Sequence, residues 1–275
     1  MEEGKGNDKI RLDLLLVKRG LAPSREKAKG LIQTGAVTLK GKTLTRPGEL
    51  MEETAEIDVK LPEEQYVSRG GLKLSGALKA FPISLTGKTC MDAGASTGGF
   101  TDCMLQHGAE KVFAVDVGTG QLAQSLREDP RVINLENINI RYMDPALIEP
   151  CDFLSADLSF ISLTMVLPAL RGCLRDGAEA VMLIKPQFEA GREHLNKHGI
   201  VRDRKVHERV LMRVINAALE AGFLPLGLIP SPIFGQDGNR EYLLYAKAAR
   251  EGEPISFPEG FESLIRKAAE SDAGK

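Results

Sequence analysis

A stretch between residues 89 and 116 restricts the fold of this chain more than any other part. An apolar strand candidate at 89–92 runs into the glycine-rich turn 94–99, and the turn opens onto a helical pattern. A second apolar strand, 111–115, then ends directly at Asp116. Strand, glycine-rich turn, helix, strand and acid, in that order, are typical of an α/β unit that binds a nucleotide-type cofactor.

The spacing of the glycines narrows the kind of cofactor. Dinucleotide-binding turns read G-x-G-x-x-G, whereas this turn reads G-x-x-x-G-G. The spacing disfavours a nicotinamide-dependent dehydrogenase and favours another adenosine cofactor, S-adenosylmethionine. A tight turn with a capping aspartate would explain the same residues without a ligand.

The parts of this turn have separate expected roles in a cofactor site. Glycine would let the ligand approach the backbone closely, and the following helix N-terminus offers N–H donors to a carboxylate. The Asp116 carboxylate can accept hydrogen bonds from both hydroxyls of a ribose. The predicted cofactor-binding residues are Asp92, Gly94, Ala95, Ser96, Thr97, Gly98, Gly99, Phe100, Asp116, Asn137 and Asp157.

Beyond this stretch, apolar strands alternate with helical patterns. The strand candidates are 89–92, 111–115, 132–135, 153–156, 180–184, 224–229 and 242–246. Helical patterns lie between them at 101–106, 121–127, 163–174 and 205–221. The last two strands have no helix between them, so we expect them to pair antiparallel. The pattern predicts a Rossmann-like α/β domain with a mostly parallel seven-stranded sheet and an antiparallel edge strand.

The residues before this domain have the pattern of a separate small α+β unit. Three leucines share one face of a first helix, and Ser24 is a favourable N-cap for a second helix that Gly35 would end. A hairpin over 37–44 and a strand over 55–59 complete the unit. The predicted organisation is a flexible N-terminus 1–9, the small unit 10–61, a polar linker 62–67, the α/β domain 68–250, and a tail or short helix 251–275.

Charge is distributed unevenly along the chain. Residues 9–46 carry ten Lys/Arg and two acids, whereas the whole chain has a formal net charge of −2. A basic block in an acidic protein indicates a surface for a polyanion, although a solvated helical face is the commoner cause of a charge run.

Composition also bears on the cellular compartment. The four cysteines, Cys90, Cys103, Cys151 and Cys173, form no C-x-x-C and have no histidine at metal-ligand spacing. We expect them to be reduced core residues, and we expect no metal. The polar N-terminus lacks the apolar region of a signal peptide, and no apolar run approaches the ~20 residues of a membrane span. A cytoplasmic protein without a membrane partner is therefore expected.

Two charged residues follow neighbouring strands of the predicted sheet. Asp157 comes at the end of the fourth strand and Lys185 at the end of the fifth. The carboxyl ends of parallel strands form the ligand-binding edge of such sheets. A plain salt bridge is the alternative, but a strongly hydrated lysine at a sheet crevice indicates a chemical role.

Two further charged residues complete a set that resembles a known family. With Lys73 in Ser68–Leu74 and Glu241 in Gly238–Tyr242, the set matches the Lys-Asp-Lys-Glu tetrad of FtsJ-like ribose 2'-O-methyltransferases. The chain resembles more fully the TlyA family of haemolysin-named ribosomal RNA methyltransferases. The shared motifs are Arg11-Leu12-Asp13, Ser24-Arg25-Glu26, Ser68-Arg69-Gly70-Gly71, Gly94-Ala95-Ser96-Thr97-Gly98-Gly99-Phe100, Lys185-Pro186-Gln187-Phe188-Glu189 and Pro230-Ser231-Pro232.

This resemblance implies roles for the charged residues. Lys185 would act on a ribose 2'-hydroxyl, as base or as orienting hydrogen-bond partner. Asp157 would hold that lysine, Lys73 would be a neighbouring cation, and Glu241 would orient Lys73 or the ribose. The target implied is a cytidine 2'-hydroxyl in ribosomal RNA, within ribosomal subunits.

The resemblance also makes the small unit an RNA-binding module. Because residues 9–60 contain no aromatic side chain, we expect the module to read folded RNA shape more than to stack on single-stranded bases. The predicted RNA-binding residues are Arg11, Arg19, Ser24, Arg25, Lys27, Lys29, Lys40 and Lys42.

Two other functions are weighed against methyl transfer. A membrane-active haemolysin is disfavoured, because no spanning segment or basic amphipathic surface helix is apparent. A non-catalytic ribosome-binding assembly factor is disfavoured by the intact tetrad, since a decayed site would be expected to have lost a member.

Overall fold

The computed structural model describes residues 9–59, 66–235 and 238–270, which fall into two compact units separated after Gln65. The predicted linker residues 62–65 and the predicted flexible residues 1–8 lie outside the described ranges. Tyr66 and Val67, also assigned to the linker by sequence, belong to the large unit. The Tyr66 ring lies where a Cβ on Gly71 would meet it at 2.2 Å, and Val67 donates its N–H to Asp102 (2.7 Å).

The small unit is built from two helices and short strands. Ser24 accepts a hydrogen bond from the Lys27 N–H (3.2 Å), and Gly35 follows the last turn with a φ of +75°. Both helix-end predictions are therefore confirmed, because a left-handed residue after a helix favours glycine. The elements are β1 (Lys9–Arg11), α1 (Leu12–Lys18), α2 (Arg25–Gln33), β2 (Val37–Leu39), β3 (Lys42–Thr43), β4 (Leu50–Glu52) and β5 (Ile57–Val59).

Two antiparallel sheets accompany these helices. The order β3-β2-β5 contains the predicted hairpin and the predicted later strand. The pair β1–β4 was not predicted, because each strand has only three residues and its partner lies some forty residues away. Leucines at positions 12, 15 and 16 are fully buried and form the core with Ile32 and Val37.

The large unit contains a seven-stranded sheet in the order β11-β12-β10-β9-β6-β7-β8. Its strands are β6 (Thr89–Ala93), β7 (Lys111–Val115), β8 (Val132–Leu135), β9 (Cys151–Ala156), β10 (Leu174–Ile184), β11 (Phe223–Pro230) and β12 (Tyr242–Ala248). Its helices are α3 (Gly70–Ala80), α4 (Gly99–Gln106), α5 (Gln124–Arg127), α6 (Leu167–Gly172), α7 (Pro186–Glu189), α8 (Arg204–Glu220) and α9 (Phe261–Glu270).

Strand directions agree with the predicted fold class. Strands β10, β9, β6, β7 and β8 pair parallel, and β11 pairs antiparallel with β12 at one edge. Strand β12 is the reversed strand, and it lies between β10 and β11 because it also pairs antiparallel with β10. Glu241, which precedes β12, thereby comes next to the strand that ends in Lys185.

Helix α6 differs from its prediction. The sequence pattern extends a helix to residue 174, but α6 ends at Gly172 and Leu174 already pairs with Cys151 of β9. Gly177, with a φ of +77°, lies in the irregular part of β10 where the register shifts. An apolar run in a helical phase cannot by itself distinguish a helix end from the start of a buried strand.

Apolar side chains cover both faces of the sheet. One face packs against α8 and α9, whose buried residues include Val210, Leu211, Val214 and Ile265. The other face packs against α3 and α4, through residues such as Leu74 and Met104. Both faces are covered, so the carboxyl edge of the strands is the place where polar side chains can converge on a ligand.

Candidate active site

The four charged residues of the predicted tetrad meet at the carboxyl edge of the sheet. Asp157 follows β9, Lys185 follows β10, Glu241 precedes β12, and Lys73 reaches them from α3. Lys73 Nζ lies 2.7 Å from Glu241 Oε2 and 3.4 Å from Asp157 Oδ2. Lys185 Nζ lies 2.6 Å from Asp157 Oδ1. The four side chains therefore form one array of alternating charge, Glu241–Lys73–Asp157–Lys185.

The array is largely shielded from solvent. The side chains of Lys73 and Lys185 are 11% and 9% exposed, and that of Glu241 is 2% exposed. Burial alone would raise the pKa of Asp157, but the charges of Lys73 and Lys185 and their hydrogen bonds outweigh it, so this pKa lies below its usual value. Asp157 is thus ionised at neutral pH and holds both lysines.

Two uncharged side chains fix the ends of the array. Ser159 Oγ accepts a hydrogen bond from Lys185 Nζ (2.8 Å). Gln187 Nε2 donates to Glu241 Oε1 (3.1 Å), and this orients the amide, because the opposite orientation would place two oxygens together. Neither residue was among the predicted site residues, although both lie within the sequence motifs around Asp157 and Lys185.

The glycine-rich turn brings its backbone against this array. Gly94 has a φ of +84°, and a Cβ there would lie 2.6 Å from the Asp157 carbonyl oxygen. Gly98 has a φ of +95°, and a Cβ there would lie 2.3 Å from the Leu126 side chain. The sequence argument attributed these glycines to ligand approach. In the structure the left-handed backbone and the close packing of neighbouring segments already require them.

Asp92 has a different position from the one its sequence context indicates. It is fully buried behind the turn, where Thr101 Oγ1 (2.7 Å) and Ser155 Oγ (3.0 Å) donate to its carboxylate. Burial raises the pKa of Asp92 to about 7 against the opposing effect of these hydrogen bonds. The side chain therefore joins α4 to two strands from the inner side of the turn.

Two adjoining cavities open around the turn and the array. The first, of about 370 Å³, is lined by Lys73, Asp157, Ser159, Lys185, the turn residues Gly94, Ala95, Ser96, Thr97 and Gly99, and Ser68, Arg69, Gly70, Phe100, Ile233, Phe234 and Gly235. The second, of about 420 Å³, is lined by Asp116, Val117, Gln121, Ile138, Asn139, Ile140, Arg141, Leu158, Phe160, Ile161 and Val166. Gly94, Ser96, Asp157 and Ser159 line both cavities.

The second cavity has the properties of an adenosine site. The Asp116 carboxylate is held in place by the N–H groups of Ser96 (2.8 Å) and Gly118 (2.7 Å) and lines the cavity. Apolar side chains such as Ile138 and Leu158 supply the remaining wall. A volume of this size with one oriented carboxylate among apolar residues suits a nucleoside whose ribose hydroxyls donate hydrogen bonds. The residues present therefore fit S-adenosylmethionine.

Most of the predicted cofactor residues border one of these cavities. Gly94, Ala95, Ser96, Thr97, Gly99, Phe100, Asp116 and Asp157 do so, whereas Asp92, Gly98 and Asn137 do not. Asn137 has a φ of +59°, and the residues that follow it, Ile138 and Asn139, line the second cavity instead. No sequence signal distinguished these neighbours, because the loop after β8 has no regular pattern.

Phe160, which lines the second cavity, forms an aromatic pair with Phe188. Phe160 is 91% exposed and has a φ of +64°. Its ring centroid lies 5.1 Å from that of Phe188, and Lys185 Nζ lies 5.8 Å from the Phe188 centroid. Apart from this ring contact, Phe160 buries little surface, so its exposed face is available to a ligand.

Three of the predicted RNA-binding cations in the small unit have structural partners. Asp13 is fully buried and accepts hydrogen bonds from Arg11 (3.0 Å) and Arg25 (2.9 Å). These guanidiniums hold the pKa of Asp13 far below its usual value despite burial. Arg19 donates to the carbonyl oxygens of Ala55 (2.6 Å) and Glu53.

The remaining predicted cations of the small unit are exposed. Lys29, Lys40 and Lys42 have no hydrogen-bond or ion-pair partner within the described part of the chain. Lys40 and Gly41 both have positive φ and form the tip of the hairpin. Unpaired ammonium groups on α2 and on this tip can bind phosphate without first breaking an ion pair.

A search of the described helices found none that is long and apolar enough to cross a membrane.

Comparisons with known proteins identify both units. Residues 66–248 match the FtsJ-like methyltransferase family model, and residues 10–57 match the S4 domain model. The Bacillus subtilis protein YqxC is 49% identical over 96% of this chain and 94% of its own length. The 16S/23S rRNA (cytidine-2'-O)-methyltransferase TlyA of Mycobacterium tuberculosis is 44% identical over 94% of this chain and 97% of its own.

A solved structure agrees with these matches. The structure of a hemolysin-named protein from Streptococcus thermophilus superposes with a TM-score of 0.73 at 44% identity and covers 96% of both chains. The fold class and the family resemblance predicted from the sequence are confirmed. The chain belongs to the FtsJ-like methyltransferase family and carries an S4 domain ahead of its methyltransferase domain.

Proposed function

We propose that this protein transfers a methyl group from S-adenosylmethionine to a ribose 2'-hydroxyl of ribosomal RNA. Family membership supports both the cofactor and the reaction class. The choice of acceptor rests on the relatives, since the Mycobacterium tuberculosis relative is named as a cytidine-2'-O-methyltransferase of 16S and 23S rRNA. A cytidine in one or both ribosomal subunits is accordingly the proposed target.

The observation that carries the proposal is the place of the charged array. Asp157 and Ser159 line both cavities, so a donor in the second cavity and an acceptor in the first would meet beside Lys185. Bringing two reactants together in a fixed geometry removes much of the entropic part of a transfer barrier. The sulfonium of the cofactor supplies an already activated methyl group.

The acceptor hydroxyl needs orientation and the loss of its proton. Of the three N–H groups on the Lys185 ammonium, Asp157 and Ser159 hold two, at 2.6 Å and 2.8 Å. The third can donate to the 2'-oxygen and direct a lone pair of that oxygen toward the methyl group. The hydroxyl proton, made acidic as the oxygen is alkylated, would pass to water. In this arrangement Lys185 donates to both Asp157 and Ser159, which supports the orienting role over proton abstraction.

The other two members of the array, Glu241 and Lys73, would hold Asp157 in position. Glu241 holds Lys73 at 2.7 Å, and Lys73 in turn faces Asp157 at 3.4 Å. Lys73 lines the first cavity, so its ammonium would also lie beside the acceptor nucleotide. The exposed face of Phe160 offers a stacking surface for a nucleobase, a contact worth about 1–3 kcal/mol in single-strand recognition.

The proposal is tested by methyl transfer from labelled S-adenosylmethionine to purified ribosomal subunits and to bare rRNA, followed by mapping of the modified ribose. We expect incorporation at a 2'-oxygen of a cytidine and none after ribonuclease treatment of the substrate. Label on a base, or no incorporation into any RNA, would contradict the proposal. A variant with Asp116→Ala is a useful control, because it should weaken cofactor binding without touching the charged array.

A further inference from the structure

A loop of the methyltransferase domain carries cations that the mechanism does not use. Residues 191–202, termed here the basic loop, lie between α7 and α8 and contain Arg192, Lys197 and Arg202 against the acid Glu193, and Asp203 follows as the N-cap of α8. All three cations are exposed. Across the described ranges of the chain, none of the three side chains has a hydrogen-bond or ion-pair partner.

Some surface cations on other parts of the domain are paired with carboxylates. Lys111 contacts Glu149 at 2.6 Å, Arg131 contacts Asp129 at 2.7 Å, and Arg175 contacts Asp152. The cations of the basic loop differ from these three in forming no ion pair within the described ranges. Such charge is available to an anionic partner without the loss of an existing pair.

Buried polar groups fix the shape of the basic loop. Asn196 Oδ1 accepts from the N–H groups of His198 (2.8 Å) and Ile200 (3.0 Å). Asn239, which is 4% exposed, donates to the Gly199 carbonyl oxygen (3.1 Å) and accepts from the Val201 N–H (3.4 Å). Because these hydrogen bonds hold the backbone of the loop, its exposed side chains start from fixed positions.

A buried histidine adds a second anchor. His207 Nε2 lies 3.0 Å from the Val201 carbonyl oxygen, which can only accept, so Nε2 is the donor. Nδ1 then accepts from the Tyr242 hydroxyl (2.8 Å), and burial lowers the pKa of His207, which agrees with a neutral ring. Tyr242 directly follows Glu241, and Asn239 precedes it by two residues. Both anchors therefore connect the basic loop to the segment that carries Glu241 of the charged array.

These observations locate unpaired, ordered cations at the same edge of the sheet as the acceptor cavity. We propose that the basic loop binds phosphates of the RNA strand that carries the acceptor nucleotide, as a contact of the methyltransferase domain separate from the S4 domain. The inference rests on the proposed function, since it takes the acceptor to be RNA. Its consequence is that affinity for RNA and its salt dependence are divided between the two domains.

The test is a triple variant, Arg192→Gln, Lys197→Gln and Arg202→Gln, in the full-length chain. Binding to purified 16S and 23S rRNA is measured over a range of salt concentrations, together with the KM for methyl transfer. A control variant, Lys111→Gln, Arg131→Gln and Arg175→Gln, removes the same charge from cations that are already paired. Affinity for S-adenosylmethionine and the thermal midpoint are recorded for each protein.

We expect the basic-loop variant to bind rRNA at least tenfold more weakly and to lose about two units from the slope of log affinity against log salt. The control should lose less than half a unit, and a variant with Arg192→Lys and Arg202→Lys should behave as the parent. An affinity and slope equal to those of the control would overturn the inference. A parent that binds rRNA but transfers no methyl group would overturn the proposed function instead, and the binding data would still decide the role of the loop.

Discussion

Asp13 in the S4 domain and Asp157 in the methyltransferase domain each lie between two cationic side chains. Asp13 accepts from Arg11 and Arg25, whose side chains are 43% and 50% exposed. Asp157 faces Lys73 and Lys185, whose side chains are about a tenth exposed. In both sites the neighbouring cations lower the pKa of the aspartate.

The difference between the two sites lies in the cation and in what it faces. A guanidinium stays charged and holds a carboxylate in a fixed fork, which suits a structural tie. An ammonium is a compact donor with a freely placed third hydrogen, and at Lys185 the surrounding wall is a cavity. We therefore propose that the same charge pattern stabilises the fold in one domain and orients a reactant in the other.

Replacing Lys185 by alanine should give the largest effect on catalysis, and so the clearest difference between the Asp157 site and the Asp13 site. The loss of both orientation and charge at the acceptor should lower kcat for methyl transfer by at least about 10³-fold, with cofactor binding nearly unchanged. Labelled methyl transfer and calorimetric titration with S-adenosylmethionine measure the two effects. Arg25→Ala is the matched variant and should leave kcat unchanged. Normal turnover by the Lys185 variant would refute its assigned role.

Replacing Asp13 by asparagine should affect stability and leave chemistry intact. Three charge-assisted hydrogen bonds, two from Arg11 and one from Arg25, are weakened or lost. Both guanidiniums are about half exposed, so the free energy of unfolding of the S4 domain should fall by about 1–2 kcal/mol. Chemical denaturation of the full chain measures this free energy of unfolding. The kcat of the variant should equal that of the parent. An Asp13→Asn protein with parental stability would show that the ion cluster contributes nothing.

Acidification should remove the stabilisation that the ion pairs of Asp13 contribute. Because the folded pKa of Asp13 lies below its unfolded value of about 3.9, the contribution is present above about pH 4 and is lost as the pH falls further. The difference in thermal midpoint between the parent and Asp13→Asn should therefore be constant from pH 7 to pH 5 and shrink below pH 4. A difference that grows on acidification would contradict the sign of this pKa shift.

Ser159→Ala should give the smallest effect. Lys185 would lose one of its two hydrogen-bond partners while the Asp157 contact remains, which corresponds to about 1 kcal/mol, or a five- to tenfold lower kcat. Ser159→Thr keeps the hydroxyl and should recover most of the activity. Equal kcat values for the alanine variant and the parent would show that Asp157 alone orients the lysine.

Much of the site could be read from local sequence. The glycine-rich turn, Asp116 at a strand end, and Asp157 and Lys185 after neighbouring strands are short-range patterns, and each depends on a strand or turn that its own residues specify. Lys73 and Glu241 were assigned to the site only through resemblance to a family, because no periodicity connects positions 73 and 241. Their convergence requires α3 to lie over the sheet and β12 to insert beside β10.

Other features were set by contacts that the sequence does not display. Whether an arginine of the basic block faces solvent or a buried aspartate depends on how α1 and α2 pack, so Arg11 and Arg25 could not be separated from Lys29 beforehand. Asp92 shares the motif of the cofactor turn, yet its carboxylate points inward to Thr101 and Ser155.

The sequence alone thus determined the two-domain organisation, the strand succession and the chemical types available at the sheet edge, because backbone propensity and hydrophobic periodicity act over a few residues. The tertiary structure decided which charges pair, which remain free and which face a cavity. Those outcomes depend on distances between residues far apart in the chain, and over such distances a hydrogen bond or an ion pair exists only after the fold has brought its two atoms together.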